Sequence, residues 1–330
     1  MGSSLSFLDV FALEPAAAAG VSFARFVELA LYHPEVGYYT APRRRVGRDR
    51  KADFFTATTF SPVFGELVVA AAAGLLREAG KDPAAHAFVE VGAEPQGGAL
   101  REVAHPFREY RTISLGQPLT VEGDCVLFSN ELFDAQPFHC VARRREDWRE
   151  LGVALRDGQL EQVDLPDFSP EVAAVLDRLP RDAAENYHID LPLRTVPMIE
   201  RLVTQPWRGL FLAFDYGKTW EALATEHPQG TARTYSHQRM GGDLLKRPGE
   251  IDLTCHICWD WLVDALQSHG FGEALVESQE AFFAKRAGPA LAQLVAAEAR
   301  TFSPRKQALM QLMHPAHMGQ KFQALHALRA

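Results

Sequence analysis

The chain is short of cysteine, of long apolar runs and of excess positive charge, and each shortage removes a class of protein. Its four cysteines, Cys125, Cys140, Cys255 and Cys258, are too few and too scattered for a disulfide framework, which fits a reducing compartment. No apolar stretch reaches membrane-spanning length, so no membrane segment is expected. The N-terminus lacks a basic region followed by an apolar core; without that secretory signal the chain reads as cytoplasmic in a bacterium, or as resident in an organellar matrix. Met1-Gly2-Ser3-Ser4-Leu5-Ser6 fits the myristoylation pattern, a permissive string that chance supplies. A formal net charge of −8 argues against general affinity for a nucleic-acid backbone.

Several chemical signatures are missing too. No Gly-x-x-x-x-Gly-Lys-Ser/Thr string occurs, so a phosphate-cradling loop is not expected. No Gly-x-Ser-x-Gly elbow occurs, which argues against an α/β-hydrolase. Cys255-His256-Ile257-Cys258 has the look of a metal pair. No second pair lies at zinc-finger spacing, however, and Cys258 begins a predicted helix, so no metal is expected.

What is present is an ordinary globular composition, 47% hydrophobic and 23% charged over 330 residues, enough for one large or two ordinary domains. Residues 21–33 carry apolar side chains at helical spacing, with Ser22 as N-cap. The basic run Arg43–Lys51 reads either as a solvated loop or as an anion or substrate contact. Phe88–Val91 is a buried strand followed by Gly92 and a turn with Pro95, Gly97 and Gly98, the pattern by which open α/β sheets begin a nucleotide-type site. The eleven residues between Gly98 and Tyr110 and the nine before Cys125 leave no room for ordinary crossover helices. The sheet is therefore expected to be trimmed on that side. Phe138–Arg144, Trp148–Leu155 and Leu160–Val163 read as an inserted antiparallel meander, Gly209–Asp215 as another buried strand, Thr231–Arg247 as a polar loop, and the tail from Leu291 as mostly helical.

Glu90, Asn130, Glu131, Asp134 and Asp215 fall at or just past strand ends. They read either as caps and turn residues or as ligand-facing groups in one crevice. Carboxylates there suit ribose hydroxyls, or a sulfonium and amino group, better than phosphate.

Leu29-Ala30-Leu31-Tyr32-His33-Pro34-Glu35-Val36-Gly37-Tyr38-Tyr39 resembles the opening of the MidA-like S-adenosylmethionine-dependent methyltransferases, which include a mitochondrial complex I assembly factor. Asp53-Phe54-Phe55-Thr56, Phe64-Gly65-Glu66, Ser129-Asn130-Glu131-Leu132-Phe133-Asp134-Ala135-Gln136-Pro137, Phe214-Asp215-Tyr216-Gly217 and Asp252-Leu253-Thr254 are similar to later blocks of that family, in order. The resemblance implies an α/β fold of the class I methyltransferase (Rossmann-like) kind, with a mostly parallel sheet. A helical N-terminal element would span residues 1–80, the core 81–290 with an insert at 138–195, and a helical tail 291–330. It implies S-adenosyl-L-methionine as cofactor, held near Glu90, Gly92, Gly97, Asn130 and Asp215. It implies methylation of a protein arginine, for instance in a respiratory-complex subunit, with Glu131 as the carboxylate and Asp53 or Asp134 as second choices.

The chain departs from the family at identifiable places. Glu94 and Gln96 stand where the resembling turn has glycines, and the second strand, Tyr110–Leu115, ends without an acidic residue. Two functions are therefore expected as rivals: an arginine methyltransferase, and a methyltransferase fold kept as a binding or assembly module.

Overall fold

Strands buried on both faces need apolar residues at nearly every position, and the chain supplies such runs at 87–91, 123–130 and 207–215. The computed structural model describes residues 5–40, 62–93, 97–236, 239–300 and 302–330. Its contacts divide the chain into two units, one of Met1–Phe54, Asp134–Pro197 and Lys218–Cys258, the other of Phe55–Phe133, Met198–Gly217 and Trp259–Ala330.

The second unit holds a six-stranded sheet. Its strands in chain order are β1 (Ala87–Val91), β2 (Glu109–Ile113), β3 (Gly123–Asn130), β4 (Trp207–Asp215), β5 (Leu275–Ser278) and β6 (Gln323–Arg329). They lie in the order β5-β6-β4-β3-β1-β2. β2, β1, β3 and β4 run parallel, and β6 is antiparallel to both of its neighbours. β2 ends the sheet, as the short connections around it require. No helix occupies residues 97–108; Ala99, Leu100 and Phe107 are buried there and fill the space a crossover helix would cover. Helix α1 (Val63–Glu78) packs into the same core. Phe64 sits at its centre, edge-on to Phe214 at 5.4 Å between ring centroids and to Phe283 at 6.0 Å.

The tail is not simply helical. After helices α2 (Gly288–Glu298) and α3 (Pro304–Met313), residues 323–329 form β6. Ala and Leu favour helix intrinsically, but the segment pairs over seven residues with β4 and buries Ala324, Leu325 and Ala327. Tertiary pairing overrides propensity here.

The first unit is antiparallel. The meander forms as expected, with strands His139–Arg144, Asp147–Arg156 and Gln159–Asp164, extended by His188–Leu191 and by the two-residue bridge Val21–Ser22. Tight turns join these strands, with Arg145 (φ 54°), Asp157 (φ 49°) and Gly158 (φ 77°) in left-handed backbone. Helix Phe23–Tyr32, capped by the Ser22 hydroxyl, lays Phe23, Phe26, Val27 and Leu31 into this unit's core. The polar loop expected at 231–247 instead carries Arg233–Ser236 and Arg239–Gly241, which pair with each other, the former also with Asp252–Thr254. Polar side chains hid this small sheet because its strands are only three or four residues long.

Candidate functional site

Strand order reverses between β1 and β3: from β1 the chain moves to β2 on one side, then returns to β3 on the other. In an open α/β sheet the carboxyl ends at such a reversal form the ligand crevice. Two turns of the second unit meet that description.

The first turn follows β1. Gly92 has φ 86°, and a Cβ there would lie 2.9 Å from Leu132 Cδ1, so this position keeps bare backbone. Glu90 is buried, and its Oε2 accepts hydrogen bonds from the Ala99 N–H at 2.8 Å and the Tyr110 hydroxyl at 2.5 Å. Burial pushes its carboxyl above the usual range, and those two hydrogen bonds offset part of the shift. Gly98, at φ 120°, passes so close that a Cβ would collide with the Tyr110 hydroxyl. Glu90 thus ties the far end of the turn to β2. Gly97 is exposed beside it.

The second turn follows β3. Glu131 adopts φ 52°, a left-handed backbone unusual for glutamate. Its N–H donates to Phe214 O at 2.9 Å, and its Oε1 accepts from Asn130 Nδ2 at 2.9 Å. Asn130 Oδ1 is buried with no hydrogen-bond partner among the described residues. Asp215, fully buried at the end of β4, accepts from Phe133 N and Tyr216 N at 2.9 Å each. It clamps the turn that carries Glu131.

The first unit holds Asp134, buried at 3% exposure, near two tyrosines. Tyr32 donates to Ala135 O at 2.8 Å and Tyr39 to Asp252 Oδ1 at 3.0 Å, with their rings stacked at 5.5 Å. Burial raises both phenols above the ordinary tyrosine range, and the charges of Asp252 and Asp134 raise them further.

The structure therefore joins Asn130 to Glu131 directly, and Asp215 to their turn. It turns Glu90 toward Tyr110, a partner twenty residues away that the sequence did not single out. Tyr32, Tyr39 and Asp252 were visible only as pieces of similar blocks. Asp53, the Arg43–Lys51 run, Glu94 and Gln96 lie outside the described residues.

Residues 101–274, more than half of the chain, match the family described as "Putative S-adenosyl-L-methionine-dependent methyltransferase". The chain belongs to this family. The chain also resembles a solved Burkholderia thailandensis protein, described as a "likely methyl transferase" and bound to S-adenosyl-homocysteine. The two are 26% identical, over 98% of this chain and 92% of that one, at a TM-score of 0.83. A native crystal structure of an uncharacterised protein from the same organism matches at a TM-score of 0.79, also with 26% identity, over 98% and 91% of the two chains. Protein arginine methyltransferase NDUFAF7, mitochondrial, from Xenopus tropicalis is 24% identical over 136 residues, which are 41% of this chain but only 30% of that protein. The sheet of this chain is accordingly a class I methyltransferase sheet, and the cofactor is S-adenosyl-L-methionine. The residues fit that cofactor: at the strand reversal a bare-backbone turn at Gly92 and a buried Asn130 acceptor without a partner among the described residues are both present. No helix among the described residues is long and apolar enough to cross a membrane.

Proposed function

We propose that the methyltransferase modifies a protein arginine side chain, with Glu131 as the carboxylate that receives the guanidinium. The observation that carries this is the backbone of Glu131. A non-glycine residue held at φ 52° stores strain of about 1–3 kcal/mol. Such strain persists where the surroundings over-determine a side chain's aim. Here the Phe214 carbonyl and the Asn130 amide fix it. A fixed carboxylate pairs with a guanidinium in two parallel hydrogen bonds and accepts its proton as the nitrogen attacks. The partial likeness to a protein named as an arginine methyltransferase points the same way.

S-adenosyl-L-methionine supplies an electrophilic methyl group when bound. Gly92, Gly97 and Asn130 would lie against it. Glu90 and Asp215 act through the two turns they hold. Asp53 and Asp134 are the second choices for the substrate carboxylate.

The test pairs calorimetry with product analysis. Wild type and Glu131→Gln are titrated with S-adenosylhomocysteine, then incubated with labelled cofactor and an arginine-rich protein acceptor. The expected result is binding within about threefold of wild type but a loss of methylarginine on the order of 100-fold or more. Label on lysine alone overturns the arginine reading, and full activity in the variant overturns the role of Glu131. Absence of wild-type binding up to about 1 mM ligand replaces transfer by the binding-module reading.

A further inference from the structure

The antiparallel sheet of the first unit brings together three side chains that are distant in sequence. Cys140 sits directly opposite Asp190 in the pairing of His139–Arg144 with His188–Leu191. His188 lies two positions from Asp190, on the same face of the strand. Asp190 Oδ1 is 3.2 Å from Cys140 Sγ and 2.8 Å from His188 Nε2. No pair of the three ligand atoms is more than 4.8 Å apart.

We propose that these residues form a divalent-cation site, with Cys140 Sγ, His188 Nε2 and Asp190 Oδ1 as ligands and zinc as the fitting metal. Around a tetrahedral zinc, with bonds of about 2.0–2.3 Å, neighbouring ligand atoms stand roughly 3.3–3.5 Å apart. The two contacts at Asp190 Oδ1 need only a few tenths of an ångström of expansion. A thiolate and an imidazole beside one carboxylate select zinc or cobalt over magnesium and calcium, which prefer all-oxygen shells.

The surroundings also suit a ligand set. Asp190 Oδ2 accepts the Thr231 and Ala232 N–H groups, at 2.5 and 2.7 Å, which aims Oδ1 at the other two side chains. Cys140 and Asp190 are buried, whereas the His188 side chain keeps 20% exposure and offers the metal a path in. On uptake the Cys140 S–H bond breaks, an S–metal bond forms, and the proton leaves to solvent. His188 coordinates through the Nε2 lone pair with its proton on Nδ1. The thiolate and the Asp190 carboxylate together balance the dication, and the fourth position falls to water.

The plain alternative is a hydrogen-bonded cluster in which Asp190 accepts from both neighbours and the thiol keeps its proton. Cobalt separates the two. Full-length protein stripped with chelator is titrated with Co²⁺ and followed by absorbance. The expected result is a one-to-one thiolate-to-cobalt charge-transfer band, displaced by Zn²⁺ and retained in Cys258→Ser. In His188→Ala the affinity falls on the order of 100-fold, and in Cys140→Ala the band disappears. No band in wild type, or a band undiminished in His188→Ala, overturns the site. Because His188 is partly exposed, its variant decides the matter even where Cys140→Ala fails to fold.

Discussion

Glu90, Tyr110 and Gly98 show how one buried acid organises a turn. The carboxylate has left water, and the Ala99 N–H and the Tyr110 hydroxyl hold it in place. Its carboxyl is raised above the ordinary 4.5. For an acid raised in the folded state, ionisation works against folding. Stability falls as pH climbs from the ordinary value through the folded one. Glu90→Gln should therefore flatten that part of the profile, and its melting temperature relative to wild type should rise as pH climbs above about 4.5. An offset that stays constant with pH, measured by calorimetry in matched buffers, would contradict this. Gly98 gives a second expectation at the same scale. Gly98→Ala puts a methyl group against the Tyr110 hydroxyl at a positive φ. It should cost about 1–3 kcal/mol, and less in a Tyr110→Phe background. A double-mutant cycle in denaturant should return a coupling of at least about 0.5 kcal/mol.

At the scale of elements, the first turn of helix α1 is anchored by aromatic packing. Phe64 is fully buried and meets the rings of Phe214, Phe283 and Phe128. Removing it leaves a cavity that stiff neighbouring rings cannot collapse to fill. Phe64→Ala should cost about 3–5 kcal/mol, the upper part of the core-truncation range. Chemical denaturation should show a lower midpoint with an unchanged slope. A cost under about 1 kcal/mol would mean that α1 repacks, and the cluster would then not be what fixes this helix.

At the scale of the whole molecule, legibility divides along a physical line. β1, β3 and β4 could be read because strands buried on both faces leave unbroken apolar runs such as Cys125–Phe128 and Leu210–Phe214. The missing crossover helices could be read from chain length alone. β6 could not, because Gln323–Arg329 carries residues equally at home in a helix and only its neighbours make it a strand. Asn130 and Glu131 were visible from their place past a strand, but the strained backbone of Glu131 was not. The Glu90–Tyr110 bond and the Cys140–His188–Asp190 cluster depend on strand register, which no local pattern encodes. β6 also governs the integrity of the sheet. Leu325 pairs with Ala213 on one side and Val276 on the other. Leu325→Pro removes a ladder donor between two neighbours and should abolish cooperative unfolding, whereas Leu325→Val should retain it. A proline variant with a wild-type melting profile would show that β6 is dispensable.

The position of β6 in the chain has a consequence for synthesis. It is last in sequence but lies between β4 and β5. Until β6 has been made and has paired, β4 presents an unsatisfied hydrogen-bonding edge and β5 has no partner in the sheet. From the completion of β4 at Asp215 until β6 begins at Gln323, the nascent chain therefore carries an open, apolar strand edge. Its yield in cells should depend on holdase chaperones that shield that edge until the final strand arrives.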